Sequence, residues 1–232
     1  MRDAAFYHLY AELPRVGPGE PADVRWALET ARTQPGARIL DAGCGPGGDI
    51  ATLLDHPDAR ITAFDIHAPF VEALHARHPE VAAIAGDMAT AEGPFDFIWC
   101  AGALYFLGVS SGLAAFRGRL ADGGAVAFSE PCHFLETPSE EARAFWEGYP
   151  ARPEAALRAE VEGAGYRILG TRRLSDAAWD AYHAPLLARA AALRPGADTD
   201  LVRAILAAEA EAARWQRVKH ETGYLLVVAV PE

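Results

Sequence analysis

The chain has 232 residues, of which 51% are hydrophobic, and it carries a formal net charge of −11 at pH 7. That length and composition are enough for one domain with a full hydrophobic core, and we expect a single domain over residues 1–232. Nucleic-acid binding is not expected, because it depends on clustered lysine and arginine and the sequence has no basic block.

Two further features bear on where the protein acts. Residues 1–12 contain acidic residues and no long apolar run, so we expect neither a signal peptide nor a membrane span there. The three cysteines, Cys44, Cys100 and Cys132, have no C-x-x-C spacing, which argues against a disulfide framework and a cysteine-rich zinc site. We therefore expect a cytoplasmic protein without membrane attachment.

Residues 1–36 precede the first predicted strand and begin with aromatic residues at helical spacing. We expect a first helix there, a break at residues 17–19 and a second helix over 21–30. Tyr10 and Arg15 allow two interpretations. They form either a surface clasp or part of a lid that covers a bound ligand, and the sequence leaves both open.

The stretch from Ala37 to Asp49 is predicted to be a strand, a turn without large side chains and the start of a helix. The strand ends in one acidic residue, Asp41. The turn contains four glycines, Gly43, Gly45, Gly47 and Gly48. Glycine permits backbone conformations that other residues avoid and lets a ligand approach the chain closely. Asp41 suits a ligand with a positive charge or hydroxyl donors rather than a bare phosphate.

Strands and helices alternate after this turn, which predicts a parallel sheet with helices on both faces. The predicted strands lie at 38–40, 60–64, 81–85, 95–100, 125–129, 166–172 and 222–230. Ligands of such sheets bind outside the carboxyl ends of the strands. One crevice should therefore collect the residues at those ends, namely Asp41, Asp65, Asp87, Cys100 and Glu130.

Two cofactors fit parts of this pattern. The glycines of the turn satisfy G-x-G-x-x-G, the dinucleotide-binding fingerprint, which is a weak signal alone. Asp65 follows Gly43 by 22 residues, and a carboxylate there can accept from both ribose hydroxyls of NAD or of S-adenosylmethionine. Asp87 and Met88 favour S-adenosylmethionine, because an acidic side chain can take the adenine amino group and the next backbone amide can meet a ring nitrogen.

A longer set of motifs resembles the class I S-adenosylmethionine-dependent methyltransferases. In order, and at the spacing of that family, the chain contains Asp-Ala-Gly-Cys-Gly-Pro-Gly at 41–47, Asp65, Gly-Asp-Met at 86–88, Phe-Asp-Phe-Ile-Trp at 95–99 and Leu-Ala-Asp-Gly-Gly at 120–124. The resemblance covers about residues 35–130 and, more loosely, the whole chain. It implies an α/β fold with a Rossmann-like, doubly wound, seven-stranded sheet, an antiparallel last strand and helical cap segments.

The resemblance also implies a cofactor and an organisation around it. S-adenosylmethionine would bind a core of about residues 35–130, with residues 1–34 as a lid and about 131–220 as a cap that holds the substrate. The expected cofactor-binding residues are Tyr10, Arg15, Asp41, Gly43, Cys44, Gly45, Asp65, Ile66, Asp87, Met88 and Cys100. Among them, Asp41 would border the methionine part of the cofactor, Asp65 would bind ribose, and the backbone at Cys100 would meet the amino group.

Within this family the chain looks like a bacterial subgroup that acts on small molecules. It lacks the Asn-Pro-Pro-Tyr signature of enzymes that methylate nucleic-acid bases or protein glutamine, and it lacks the metal ligands of catechol-type relatives. Glu72, His75 and His78 could mimic a metal site, but their helical spacing without outside partners is typical of a solvated face. We therefore expect a small-molecule acceptor and no metal.

A hydroxyl acceptor needs a base, whereas an amine, a thiolate or a carbanion needs little further help. The expected catalytic residues are Tyr105 and Glu130, which flank the predicted crevice, ahead of His133 and His183. The expected substrate-binding residues are Trp146, Tyr149 and Tyr182, whose rings, with that of Trp179, would supply apolar walls. Tyr105 and the aromatic residues could equally be core residues. The acceptor atom (O, N, S or C), the use of a base and the oligomeric state stay open.

Two other functions remain possible on the sequence alone. A nicotinamide-dependent oxidoreductase would need a nicotinamide site and would have no need of Asp41 or Asp87. A protein that binds the cofactor or a partner without transferring methyl would rely on a surface such as the helix predicted at 200–219.

Overall fold

The computed structural model describes residues 4–232 of the chain. Its helices are α1 (Ala4–Tyr10), α2 (Pro21–Ala31), α3 (Ile50–Leu54), α4 (Ala68–Arg77), α5 (Val109–Arg117), α6 (Glu140–Ala144), α7 (Glu154–Gly163), α8 (Asp176–Leu193) and α9 (Thr199–Val218). Its strands are β1 (Arg38–Ala42), β2 (Arg60–Asp65), β3 (Ala82–Ala85), β4 (Phe95–Ala101), β5 (Leu120–His133), β6 (Arg152–Pro153), β7 (Tyr166–Arg173) and β8 (Thr222–Pro231). Short 3-10 turns follow β3 and β4, at Met88–Thr90 and Leu104–Phe106.

All of the strands belong to one sheet, in the order β3-β2-β1-β4-β5-β8-β7. Strands β1 to β5 pair in parallel, and β8 runs antiparallel to both of its neighbours, β5 and β7. The seven strands in this order, of which β8 is the antiparallel last strand, confirm the predicted sheet. The two-residue β6, which pairs with the end of β5, was not expected.

Helices cover both faces of the sheet, because β1, β4 and β5 are apolar on both sides. On one face, Leu113 and Phe116 of α5 and Leu157 of α7 are buried against the sheet. On the other, α2, α3 and α8 contribute buried apolar side chains to a second cluster. The chain is therefore doubly wound, and the strand order reverses between β1 and β4, where such folds place their ligands.

Strand β5 is longer than the sequence indicates. A strand over 125–129 with Glu130 at its end was predicted, whereas β5 runs from Leu120 to His133. The extension beyond Glu130 is due to the antiparallel partner of β5, because β8 pairs with β5 as far as His133, which lies opposite Thr222. Glu130 consequently lies inside a strand, opposite Leu225, and not at a strand end as predicted.

A third hydrophobic cluster lies beyond the sheet and joins α1, α8 and α9. The indole rings of Trp179 and Trp215 stack at its centre, with centroids 3.7 Å apart. Leu9 and Tyr10 of α1 are buried in the same cluster. Within residues 4–232, none of the helices has the length and apolar character needed to cross a membrane.

Candidate functional site

The glycine turn after β1 is tied to the end of β2 by its own amides. Gly43 N and Cys44 N both donate to the carbonyl oxygen of Phe64, at 2.8 and 2.9 Å. Gly45 N donates to Asp65 Oδ2 at 2.8 Å. These three amides are therefore already satisfied within the protein and fix the turn to the end of β2.

The turn requires glycine for steric reasons at Gly43. This residue has φ +79°, and a Cβ there would lie 2.4 Å from the Cβ of Ala103. The 14–16 segment packs against the same turn, because a Cβ on Gly45 would lie 3.1 Å from Val16 Cγ2. The N-terminal segment therefore covers the glycine turn directly.

Three carboxylates, Asp41, Asp49 and Asp65, surround the turn, and within the described residues only Asp49 is in an ion pair. Asp49 accepts from Arg15 Nη2 at 2.8 Å and from Trp99 Nε1 at 3.0 Å. Asp41 is only 3% exposed, and within residues 4–232 nothing donates a hydrogen bond to its side chain. Burial raises the pKa of Asp41 well above its ordinary value; Asp49 and Asp65 add to the rise and Arg15 opposes it. A cation at Asp41 would be strongly favoured.

The end of β2 combines a fixed carboxylate with an exposed apolar side chain. Asp65 accepts from Gly45 N and, through Oδ1, from His67 N at 2.8 Å. Each carboxylate oxygen can accept further hydrogen bonds. The neighbouring Ile66 is 80% exposed, which is unusual for isoleucine and leaves a flat apolar surface next to the carboxylate.

The end of β3 supplies the next part of the same edge. Asp87 is exposed, and its Oδ1 caps the following 3-10 turn by accepting from Ala89 N at 2.8 Å. Met88 is buried, with its Sδ 3.9 Å from Cys100 Sγ on β4. The predicted cofactor residues of β1 to β4 thus lie at or just beyond the carboxyl ends of these strands, and Met88 and Cys100 among them are buried.

Helix α1 lies over this edge through aromatic contacts. The ring of Tyr7 stacks on His67, with centroids 3.7 Å apart and planes 8° from parallel. Tyr10 Oη lies 2.7 Å from Tyr182 Oη on α8. Arg15 is held by Asp49. Helix α1 is therefore packed against the segment after β2 and against α8.

A second group of polar side chains surrounds Glu130 of β5. The Glu130 side chain is fully buried, and its Oε1 accepts from the hydroxyl of Tyr149 and from Arg152 Nη2, the latter at 3.3 Å. Arg152 also binds Glu160 through Nη1. Burial raises the pKa of Glu130 to about 7, against the opposing effects of the Tyr149 hydrogen bond and the Arg152 charge. A carboxyl with this pKa can act as a base near neutral pH.

The predicted substrate residues fall into two groups. Tyr149 belongs to the Glu130 group, and the ring of Tyr105 packs edge-on against it with centroids 5.7 Å apart. Trp146 belongs to the cap: its Nε1 donates to Thr222 Oγ1 at 2.7 Å. Tyr182 is also in the cap, beside Tyr10. Tyr105, Glu130 and Tyr149 are together, whereas Trp146 and Tyr182 are part of the aromatic cluster next to them.

The histidines considered as bases have partners in the fold. His133 Nδ1 lies 3.0 Å from Thr222 Oγ1, and His183 Nε2 lies 3.2 Å from Glu211 Oε1 on α9. Within the described chain, no group of three or more His, Cys, Asp or Glu residues is placed to hold a metal ion.

The sequence analysis missed Arg152 and the role of Asp49. Asp49 was taken only as the start of a helix, although its position beside a glycine turn rich in acids is a usable signal. Arg152 lies in a segment without periodicity, so no sequence pattern indicates it.

Comparisons with known proteins agree with this geometry. Residues 39–124 match the protein family described as "Methyltransferase domain". Trans-aconitate 2-methyltransferase from Methylobacterium radiotolerans is 31% identical over 133 residues, which make up 50% of this chain and 51% of that protein. The chain thus spans about half the length of this curated relative.

Solved structures are similar over nearly the whole chain. A SAM-dependent methyltransferase from Geobacter sulfurreducens, in complex with S-adenosyl-L-homocysteine, superposes with a TM-score of 0.86 at 20% identity and covers 100% of this chain and 99% of that one. The [4+2]-cyclase SpnF gives a TM-score of 0.75 at 17% identity, covering 98% and 92%. At such identities the likeness shows the fold. Residues 39–124 of this chain thus match the methyltransferase-domain family, and the chain as a whole has the fold of these solved structures.

Proposed function

We propose that the protein transfers a methyl group from S-adenosylmethionine to a small-molecule acceptor. The observation that carries this proposal is the electrostatic character of the glycine turn. Its first three amides are satisfied by the end of β2, and three carboxylates, Asp41, Asp49 and Asp65, lie around it with two arginines, Arg15 and Arg77. Such a turn suits a cationic ligand and opposes an anionic one.

The charge of each candidate cofactor decides between them. The diphosphate of NAD would add negative charge to a pocket that already holds a buried, uncompensated Asp41. S-adenosylmethionine carries an ammonium and a sulfonium, so it would place positive charge next to that carboxylate. We therefore favour S-adenosylmethionine over a dinucleotide.

The residues present fit this cofactor. Asp41 offers a buried acceptor without a protein donor, and the contact between Gly43 and Ala103 leaves no room for a side chain beside the bound molecule. Asp65 retains acceptor capacity for the ribose hydroxyls, and the exposed Ile66 offers an apolar face for adenine. In this proposal Tyr10, Arg15, Cys44, Gly45, Asp87, Met88 and Cys100 complete the cofactor site.

The cofactor brings an already activated methyl group, so the protein has to align the acceptor, exclude water and handle a proton. The lid at residues 1–34 and the cap at about 131–220 would exclude water over the core at about 35–130. Glu130 would take the proton of the acceptor, with Tyr105 beside it. Trp146, Tyr149 and Tyr182 would form the walls of the acceptor pocket.

Three further expectations belong to the same proposal. The acceptor is a small molecule, since the described edge of the sheet is acidic and offers no basic surface for nucleic acid. The protein works in the cytoplasm, which agrees with three thiols that are buried and unpaired in disulfides. The fold alone does not decide the reaction, because the similar SpnF structure is described as a [4+2]-cyclase.

Calorimetry with S-adenosylmethionine, S-adenosylhomocysteine and NAD tests the proposal. We expect the first two to bind and NAD not to bind. At about 100 times its dissociation constant, S-adenosylhomocysteine should stabilise the protein by about 2.7 kcal/mol, which raises Tm by roughly 5–10 °C. Binding of NAD alone would favour an oxidoreductase. Binding of S-adenosylmethionine without any methylated product from a broad set of acceptors would favour a non-catalytic role.

A further inference from the structure

The ion pair between Glu130 and Arg152 is incomplete in a specific way. Arg152 Nη2 reaches Glu130 Oε1 at 3.3 Å. Two further atoms of the same pair of side chains, Arg152 Nε and Glu130 Oε2, are buried and have no hydrogen-bond partner among the described residues. Buried polar atoms without partners are rare, and each calls for an explanation.

The chain contains a complete pair of the same kind at the opposite edge of the sheet. Arg38 Nε donates to Asp96 Oδ2 and Arg38 Nη2 donates to Asp96 Oδ1, each at 2.9 Å, so this ion pair is bidentate and both carboxylate oxygens have a partner. Between Arg152 and Glu130 only the bond from Nη2 to Oε1 is made, and the two atoms without a partner, Arg152 Nε and Glu130 Oε2, make up the open end of this pair. The open end thus holds one N–H donor and one carboxylate acceptor, both buried.

A hydroxyl group complements that open end. Its oxygen can accept from Arg152 Nε while its proton is donated to Glu130 Oε2. An ammonium can only donate, and a carboxylate can only accept, so each would leave one of the two protein atoms unsatisfied. Because an unsatisfied buried polar atom is costly, a hydroxyl should be preferred over an amine or a carboxylate of the same shape.

We propose that Glu130 and Arg152 form the polar end of the acceptor pocket and that the acceptor is a hydroxyl compound. This proposal rests on the methyltransferase function proposed above. Arg152 holds the hydroxyl oxygen, and the hydroxyl proton passes to Glu130 Oε2. The oxygen lone pair then forms the bond to the methyl carbon, and the electrons of the broken carbon–sulfur bond remain on sulfur. The product is a methyl ether.

The groups around Glu130 are consistent with a proton acceptor at this position. They are Tyr149 from the loop before β6, Arg152 on β6 and Glu160 on α7. Glu160 is partly exposed and also binds Ser110 Oγ at 3.1 Å, so the network extends from buried Glu130 to the surface. Tyr149 follows Glu147 and Gly148, both of which have a positive φ.

The first test needs neither acceptor nor cofactor. Protein labelled with ¹³C-carboxyl glutamate is titrated by NMR, and the Glu130 signal is identified by its loss in Glu130→Gln. We expect a midpoint near pH 7. Arg152→Gln should raise that midpoint by about 1 unit, since it removes a neighbouring positive charge. Arg152→Lys should largely restore it, and the control Arg158→Gln, in an ion pair with Glu154 on the same face, should leave it unchanged. An unchanged midpoint in Arg152→Gln would overturn the pairing.

The second test identifies the acceptor class. A panel of hydroxyl compounds, each with the amine and the carboxylate of the same carbon skeleton, is added with and without S-adenosylhomocysteine while the Glu130 signal is followed. Methylation of the panel is measured with trideuterated S-adenosylmethionine. We expect hydroxyl compounds alone to shift the signal and to gain the label on oxygen, and we expect Arg152→Lys to lose the labelling although it keeps the midpoint.

The outcomes separate the two proposals. If only amines or carboxylates shift the signal or gain the label, the acceptor class is wrong. If no member of the panel does so, a buried water fills the open end and the inference fails. The proposed function fails separately, as an absence of S-adenosylmethionine binding in calorimetry, because the Glu130 signal responds to a hydroxyl without the cofactor.

Discussion

Replacement of Asp41 by asparagine should make the protein more stable and at the same time weaken its cofactor binding. Asparagine has nearly the same shape and carries no charge. In the unfolded chain Asp41 ionises near its ordinary pKa of about 3.9, whereas burial raises that pKa well above this value in the folded protein. At a pH between the pKa of Asp41 in the unfolded chain and its pKa in the folded protein, the unfolded chain has released a proton that the folded protein keeps. The free energy of unfolding therefore falls as the pH rises through this range. Asparagine cannot ionise, so Asp41→Asn removes this loss of stability.

The size of both effects follows from the same carboxylate. Each unit by which the pKa is raised corresponds to about 1.4 kcal/mol of lost stability. For a chain of this size about 1 kcal/mol moves Tm by roughly 2–4 °C, so a rise of one unit would move it by about 3–6 °C. Loss of a charge-assisted hydrogen bond to the cofactor costs about 1.5–3 kcal/mol, which weakens S-adenosylmethionine about 10- to 150-fold.

The assay is thermal unfolding without cofactor at several pH values, together with calorimetry. We expect Asp41→Asn to have the higher Tm at neutral pH and the two proteins to converge below about pH 4. Asp96→Asn is a control of opposite sign, because Arg38 lowers the pKa of Asp96 and the substitution removes that ion pair, whose effect on stability is small because both side chains are partly exposed. A higher Tm with unchanged affinity would refute the role of Asp41 in binding the cofactor, and a lower Tm would refute the argument from burial.

Three further predictions concern the same edge of the sheet. Asp65→Ala should weaken S-adenosylmethionine about 10- to 150-fold in calorimetry, through loss of hydrogen bonds worth about 1.5–3 kcal/mol; unchanged affinity would rule out the ribose contact. Gly43→Ala should lower Tm more than Gly36→Ala, since both have φ near +80° but only the former would place a Cβ against Ala103; equal losses would mean that the contact relaxes freely. Residues 4–20 should exchange amide hydrogens more slowly with S-adenosylhomocysteine bound; equal exchange in both states would mean that this segment is not a ligand-coupled lid.

Much of the fold could be predicted because its signals are local. The alternation of apolar strands and helices indicates a parallel sheet, and the acids at strand ends indicate which edge holds the site. Asp41 and Asp65 do meet at the glycine turn, as those positions require. The antiparallel final strand was a consequence of the family resemblance, not of periodicity.

The parts that could not be predicted depend on pairing between distant residues. The extension of β5 beyond Glu130 is set by β8, about ninety residues later in the chain, as the pairing of His133 with Thr222 illustrates. Arg152 reaches Glu130 because the short β6 pairs with the end of β5. The aromatic residues Trp146, Tyr149 and Tyr182 look alike in the sequence. Only the fold places Tyr149 on Glu130 and the other two in the cap.

Charge divides the carboxyl edge of the sheet into two different environments. Beside the glycine turn, Asp41 is buried without a counter-charge, which favours a ligand that brings positive charge. Across β5, Glu130 is buried next to Arg152, whose charge is shared with Glu160, so this side accommodates a neutral group better than an ion. A cationic methyl donor and a neutral hydroxyl acceptor would therefore each bind where the local charge suits it. The product of the donor is less positive than the donor itself, so methyl transfer should weaken its attraction to Asp41 and favour its release.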